Sequence, residues 1–372
     1  MPQTNRSIFE SNIFNLPKLR YGTEFPTFLK EHFKQFENQI KKFKGGLKKE
    51  LSSKLPLIFK QQKLILEAVN LYYRGFPSLA YEKMKGILDE LNANNILPIS
   101  KIPNEQSCIG LYRMRISDNK TLQKKDLFHI PFQFREKVST QRYSIPGLPC
   151  LYLGDSIFVC WEELSRPNFD NIHVSRFDLS ESNFRFLYFN VSVDEIRRRC
   201  FPRNNDDGKF PKQLVSFLSY FPLFTACSTI VDKPLDVFKP EYIIPQLVLQ
   251  WVVATQKLDG IQYKSNRVSA SNHNLGTFTN IVMPVKQVSE KNYCSELIKA
   301  IKLTNPISWQ LLDISTNNSA TISNSNKDIK VNELRQAMYI ELIPNEKTYY
   351  LSSKFGLLEE KLKSMTVDFI KI

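Results

Sequence analysis

Hydrophobic and polar positions alternate in two different textures along this chain. In FLKEHFKQFENQIKKF (28–43), apolar residues recur every three to five positions, at Phe28, Phe33, Phe36, Ile40 and Phe43, with lysines between them. Residues three and four apart share one side of a helix, so the spacing predicts an amphipathic helix with a basic outer face. Gly45-Gly46 is expected to break it. Two more helices are predicted over about 56–73 and 77–92, with Gly75-Phe76-Pro77 as the turn between them. No second copy of this hairpin follows at a fixed period, so a repeat array is not expected.

The texture changes after ILPISKIPNE (96–105), a stretch with two prolines that reads as a linker. Short β-like runs appear: CIGLYRMRI (108–116), CLYLG (150–154), IHVSRFDL (172–179), FRFLYFNV (184–191) and NIVMPV (280–285). Helical patterns lie among them: SIFVCWEEL (156–164), VDEIRRRC (193–200), PKQLVSFLSYF (211–221) and YIIPQLVLQWVVA (242–254). Pro245 falls near the first turn of the last, a favoured place. The fold class this predicts is α+β: an all-helical region over 1–100, a mixed-sheet domain over about 105–345, and a tail over 346–372 that packs on the domain. The tail ends in a helix over about 356–365. The Ser- and Asn-rich stretch 314–327 is expected to be a mobile loop.

With 372 residues, 42% of them hydrophobic, the chain has enough material for about two domains. Its formal charge is +14, and residues 1–100 hold sixteen basic against nine acidic side chains, half of that excess. Such a balance favours anionic partners: nucleotide phosphates, nucleic acid or an anionic membrane surface. A basic excess spread over solvated helix faces accounts for it equally simply. The helical region therefore reads either as a partner-binding module or as a solvated appendage. The six cysteines form no CxxC pair and sit among apolar residues, which suits reduced, buried thiols. The four histidines show no HxH or HExxH spacing, so no metal site is expected. The N-terminus has no basic segment followed by an apolar one. The longest apolar run, 242–255, is too short to span a bilayer. The expectation is a soluble, cytoplasmic protein with no membrane partner.

Five places could carry chemistry. Arg113 and Arg115 share one face of a predicted strand, where a guanidinium fork can hold a pyrophosphate; an edge strand facing water would place them there too. Gln141-Arg142-Tyr143 precedes the Pro146-Gly147 turn, and Tyr152 lies on the strand after it. A tyrosine offers a flat face to a planar heterocycle, although a single one more often fills a core. Glu162 and Glu163 close a predicted helix. Successive residues point about 100° apart, so only one of the two is expected to face a cleft. Asp259 to Ser265 (DGIQYKS) is a turn and strand ending in a serine whose hydroxyl could orient a phosphate or a carboxamide. The chain has no GxGxxG, P-loop or GxSxG motif.

Taken in order, these pieces resemble the RES domain family, named for its Arg, Glu and Ser. The resemblance rests on Tyr112-Arg113, on RYSIPGLP (142–149) followed by LYLGDS (151–156), on Cys160 and Glu163, and on DGIQYKS (259–265). It covers about 105–290, and the central stretch is its specific part. Ser144 stands where the family often has Asn, and Cys160 takes the small position before the Glu.

The resemblance implies an ADP-ribosyltransferase-like fold and NAD⁺ as substrate, with no prosthetic group. It implies cleavage of the nicotinamide–ribose bond by hydrolysis, or by phosphorolysis with inorganic phosphate as co-substrate, in toxin or phage-defence service. By the same resemblance, Arg113 and Arg142 hold pyrophosphate or ribose. Tyr143 and Tyr152 wall the nicotinamide, Glu163 stabilises the ribosyl cation, and Ser265 orients substrate or phosphate; Glu162 competes with Glu163. An antitoxin or regulatory protein is the implied partner. The residues are consistent in kind, since a neutral pyridine leaving group needs little acid–base help. Protein ADP-ribosylation is one alternative. An inactive relative that binds nucleic acid or another protein is the other, supported by the basic charge.

Overall fold

The computed structural model describes residues 4–102, 110–118, 121–191, 193–201, 212–268, 272, 278–287, 292–315 and 338–371. Cys108, His273 and most of the 314–327 stretch lie outside these residues. The protein is α+β with a helical N-terminal region. It divides into two compact units that interleave along the chain: Met1–Ile99, Thr140–Ile145 and Leu187–Thr255 form the first, and Ser100–Ser139, Pro146–Phe186 and Gln256–Ile372 the second. The segment 187–255 thus groups with the N-terminal helices.

The first unit contains α1 (Asn5–Phe9), α2 (Phe25–Ile40), α3 (Gly45–Ser52), α4 (Leu55–Tyr73) and α5 (Pro77–Ala93). The helix read over 28–43 starts earlier and stops at Ile40, and Gly45-Gly46 opens α3. Phe25, Leu29, Phe33, Phe36 and Ile40 of α2 are buried, the stripe that the spacing demands. Phe14 stacks among Phe9, Phe36, Phe43 and Phe221.

Two further helices of this unit, separated from the first five by strands of the other unit, are apolar nearly all round. Pro222 lies inside one of them, Lys212–Ser228, and a proline there removes a ladder bond. Beside it, Gln61 of α4 bridges the next step of the ladder: its Nε2 donates to the Ser219 carbonyl at 3.2 Å and its Oε1 accepts from the Leu223 amide at 2.8 Å. Gln61 is fully buried.

The second unit is built on a sheet. Its strands are β2 (Leu111–Ile116), β3 (Cys150–Gly154), β4 (Ile172–Asp178), β6 (Gly260–Lys264), β7 (Thr279–Pro284), β8 (Lys302–Leu303) and β9 (Ile307–Ser308). The labels β1 and β5 belong to Ile99–Ile102 and Phe184–Phe189, both cut by the division between units. The order is β6-β7-β3-β2-β4-β8, with β9 beside β4, and these pairings are antiparallel. Helix α6 (Ile157–Glu163) follows β3 directly. Among the described residues, the α-helices after it include α7 (Val193–Cys200), α8 (Lys212–Ser228) and α9 (Ile243–Thr255) in the first unit, then α10 (Ser295–Ala300), α11 (Trp309–Ser315) and α12 (Lys354–Lys363) in the second.

Strand alternation sorts the second unit's core into two faces. Tyr112, Met114, Ile172 and Val174 pack with α6 and α12 on one face. Leu151, Leu153, Phe177, Ile281 and Met283 pack on the other. The five described cysteines are buried and free. Among the described residues, no helix is long and apolar enough to cross a membrane.

Candidate active site

The sheet of the second unit parts between β2 and β3. These neighbours share the single register pair Tyr112–Gly154, whereas β2 runs alongside β4 for six pairs and β3 alongside β7 for five. Arg113 comes directly after the shared pair. Its Nη1 donates to the Tyr152 carbonyl at 2.9 Å, and its Nε has no hydrogen-bond partner among the described residues. Arg115, on the same face of β2, donates to the Phe128 carbonyl at 3.1 Å, and its Nε likewise has no partner among the described residues. Arg115 has Asp126 within electrostatic reach, whereas Arg113 has no acidic partner among the described residues. Burial, reinforced by Arg115, pushes the Arg113 guanidinium below its usual range. A desolvated cation without a counter-ion favours an anionic ligand.

Helix α6 begins where Ser156 accepts the Val159 amide at 3.2 Å. It ends where Ser165 and Arg166 turn left-handed, at φ 62° and 58°. Its two terminal acids separate as the helical step requires. Glu162 is 5% exposed and accepts both arms of the Arg166 guanidinium, at 3.1 and 2.9 Å, while Arg166 lies over the Trp161 ring. Glu163 faces β6 and β7. Its Oε1 accepts from Ser265 Oγ at 2.7 Å and from Asn280 Nδ2 at 2.6 Å, and its Oε2 is 3.5 Å from Arg267 Nε. Arg267 also donates through Nη1 to Ser165 at 2.9 Å and through its amide to Ser265 Oγ at 3.3 Å.

The parted strands and the carboxylate are linked by one row of the sheet. Tyr112, Gly154 and Asn280 are successive cross-strand partners, spanning about 10 Å at the usual strand spacing. Cys160 lies over this row: its thiol donates to the Tyr112 carbonyl at 3.3 Å, and a Cβ on Gly154 would meet its sulfur at 2.9 Å. Glycine is therefore required at 154, under Cys160, which lies one turn before Glu163. The Cys160 thiol is within electrostatic reach of both Arg113 and Glu163, and burial pushes it up to about 12, so it stays protonated. Tyr152 shares its strand face with Cys150, and burial raises its phenol well above the usual range.

The structure thus brings Glu163 to Ser265, and Arg113 to Tyr152, within the second unit. It gives Glu162 to Arg166. Arg142 and Tyr143 belong to the first unit. There the Arg142 guanidinium donates to the Cys227 carbonyl at 3.1 Å and lies 5.2 Å over the Tyr242 ring, and Tyr143 is buried. Asn280 and Arg267 escaped the reading of the sequence. Asn280 opens an otherwise apolar strand, NIVMPV, and a polar residue at that point was the available signal. No group of His, Cys, Asp and Glu among the described residues could hold a metal ion.

The chain is 33% identical over 299 residues to a Bacillus subtilis (strain 168) protein named "Putative toxin YopC", covering 78% of this chain and 67% of that one. The chain belongs to the YopC toxin family. No family model matches it, and no solved structure matches it. The matched length exceeds the expected 105–345 domain, so similarity to this protein extends beyond the part that carries the RES resemblance.

Proposed function

We propose that this toxin-family protein is an NAD⁺-consuming enzyme that cleaves the nicotinamide–ribose bond. The observation that carries the reading is the seating of Glu163, whose carboxylate accepts hydrogen bonds from Ser265 and Asn280. Arg113, half-buried and without an acidic partner among the described residues, supports it as a site for the substrate's diphosphate. Tyr152 would wall the nicotinamide. Arg142 and Tyr143 remain part of the proposal as substrate-binding residues through the family resemblance alone. The ADP-ribosyltransferase-like fold that the resemblance implies belongs to the same proposal.

In this mechanism the C–N bond to ribose breaks with its electron pair passing to the pyridinium nitrogen, releasing neutral nicotinamide. Positive charge develops on the ribosyl carbon, and the Glu163 carboxylate stabilises it or holds the adjacent hydroxyls. Water or inorganic phosphate then adds to that carbon, giving ADP-ribose or its 1″-phosphate and one proton. No nucleophile–base pair is needed, because the leaving group needs no protonation.

The test is nicotinamide release from NAD⁺ by the purified full-length protein, with and without phosphate. Release is expected, and dependence on phosphate names the acceptor. NAD⁺ left intact, with no binding, would remove the reading.

A further inference from the structure

A carboxylate of the C-terminal tail, outside the RES-like stretch, meets the first residue of helix α6. Glu359 of α12 is fully buried. Its Oε1 accepts from the amide of Ile157, the first residue of α6, at 2.9 Å and from the Tyr350 hydroxyl at 2.6 Å. The amides of a helix's first turn have no partner within the helix, and an acidic group there is favoured. Burying a carboxylate is costly, so one placed against an apolar helix face calls for a reason.

The tail is shaped to aim this group. Ser353 caps α12 by accepting the Gly356 amide at 3.3 Å. At Gly356 any Cβ would lie 2.6 Å from the Tyr350 carbonyl oxygen and from Leu351 Cα, so only glycine lets the helix settle onto the Tyr350 turn. Phe355 packs its ring on Phe158 and on Trp161 of α6, each at 5.4 Å. Helix α6 is seven residues long. Its first residue is tied to Glu359, and its last, Glu163, is tied to Ser265 and Asn280.

We infer that Glu359 is a positioning residue for Glu163, acting through α6, so that the C-terminal helix is part of the catalytic apparatus. This rests on the reading of Glu163 as the reacting carboxylate. A helix this short has few contacts with which to hold its register. Without the Glu359 oxygen, the buried Ile157 amide loses its acceptor, and α6 can shift along its axis.

In the full-length protein, Glu359→Ala is expected to lower kcat for nicotinamide release about 100-fold, the effect of a displacement on the order of 1 Å at a reacting group. KM should stay within about threefold, since no substrate contact is removed. Glu359→Gln keeps an oxygen acceptor and should recover kcat to within about threefold of wild type. Hydrogen exchange of 156–164 should quicken in the alanine variant and not in the glutamine one. Wild-type kcat in Glu359→Ala, a change confined to KM, or glutamine as impaired as alanine would overturn the inference. Should Glu359→Ala fail to fold, Tyr350→Phe decides: kcat falls several-fold at unchanged KM, or the inference fails. If the wild type releases no nicotinamide, the NAD⁺ reading fails alone, and growth arrest on induced expression becomes the readout. Arrest relieved by Glu359→Ala and kept by Glu359→Gln then supports positioning; equal arrest in both contradicts it.

Discussion

Ser265 and Glu163 stand 102 residues apart in the chain and 2.7 Å apart in space. Asn280 meets the same carboxylate oxygen from the neighbouring strand. Two donors on one oxygen fix the direction of the carboxylate, and the second oxygen is left to Arg267 at 3.5 Å. Ser265→Ala and Asn280→Leu should each lower kcat on NAD⁺ by about 10- to 100-fold, the range for losing one preorganised hydrogen bond at a reacting centre. Steady-state kinetics on each variant would show it. Activity unchanged in both would mean that the seating of Glu163 is structural only.

Arg113 calls for a different signature. It is proposed to hold the substrate's diphosphate, so its loss should fall on binding. A hydrogen bond to a charged group is worth about 1.5–3 kcal/mol, so Arg113→Gln should raise KM for NAD⁺ about 10- to 100-fold. Lysine should not restore it, because a single ammonium cannot reproduce the planar fork. An unchanged KM in Arg113→Gln would move the anion site elsewhere.

The first unit carries its own structural test. Gln61 bridges the Ser219 carbonyl and the Leu223 amide, an i, i+4 pair of α8 beside Pro222. Gln61→Leu would bury both without partners, at about 1–3 kcal/mol each. Denaturant unfolding should show a loss of about 2–6 kcal/mol, with Pro222→Ala in the same background recovering part of it by restoring the ladder. Stability equal to wild type in Gln61→Leu would contradict the bridge.

Acid should weaken the protein through two buried imidazoles. Burial lowers both His32 and His129 from 6.5 to about 4. His129 Nε2 accepts the Cys294 amide at 2.9 Å, a bond that a protonated ring cannot accept. The unfolded chain binds these protons below pH 6.5 and the folded chain only near pH 4. The contribution is therefore complete above 6.5 and is lost as pH falls to about 4, by about 3 kcal/mol per residue. Denaturant midpoints at pH 7 and 4.5 should differ accordingly, and His32→Phe should flatten the difference. A flat profile in the wild type would contradict it.

Much of the second unit was legible because its strands alternate. The runs read at 150–154, 172–179 and 280–285 match β3, β4 and β7 within a residue or two. Helices with an apolar stripe, such as α2 and α4, were legible for the same reason. Helices α8 and α9 are buried on nearly every side, so no stripe said what they pack against, and their grouping with the N-terminal helices was hidden. The choice between Glu162 and Glu163 depended on helical phase, which Arg166 four residues on could have signalled: an i, i+4 pair claims Glu162. Asn280, Arg267 and Glu359 come to α6 from 104 to 202 residues away in chain order, and spacing along a chain does not encode such contacts.

The most direct measurement compares Glu163→Gln with Glu162→Gln in the purified full-length protein, following nicotinamide release from NAD⁺. Glu163→Gln is expected to abolish turnover while the protein still binds NAD⁺. Glu162→Gln, which weakens an ion pair with Arg166, should leave most of the turnover in place. Turnover that survives Glu163→Gln would contradict the central claim that this carboxylate carries the cleavage.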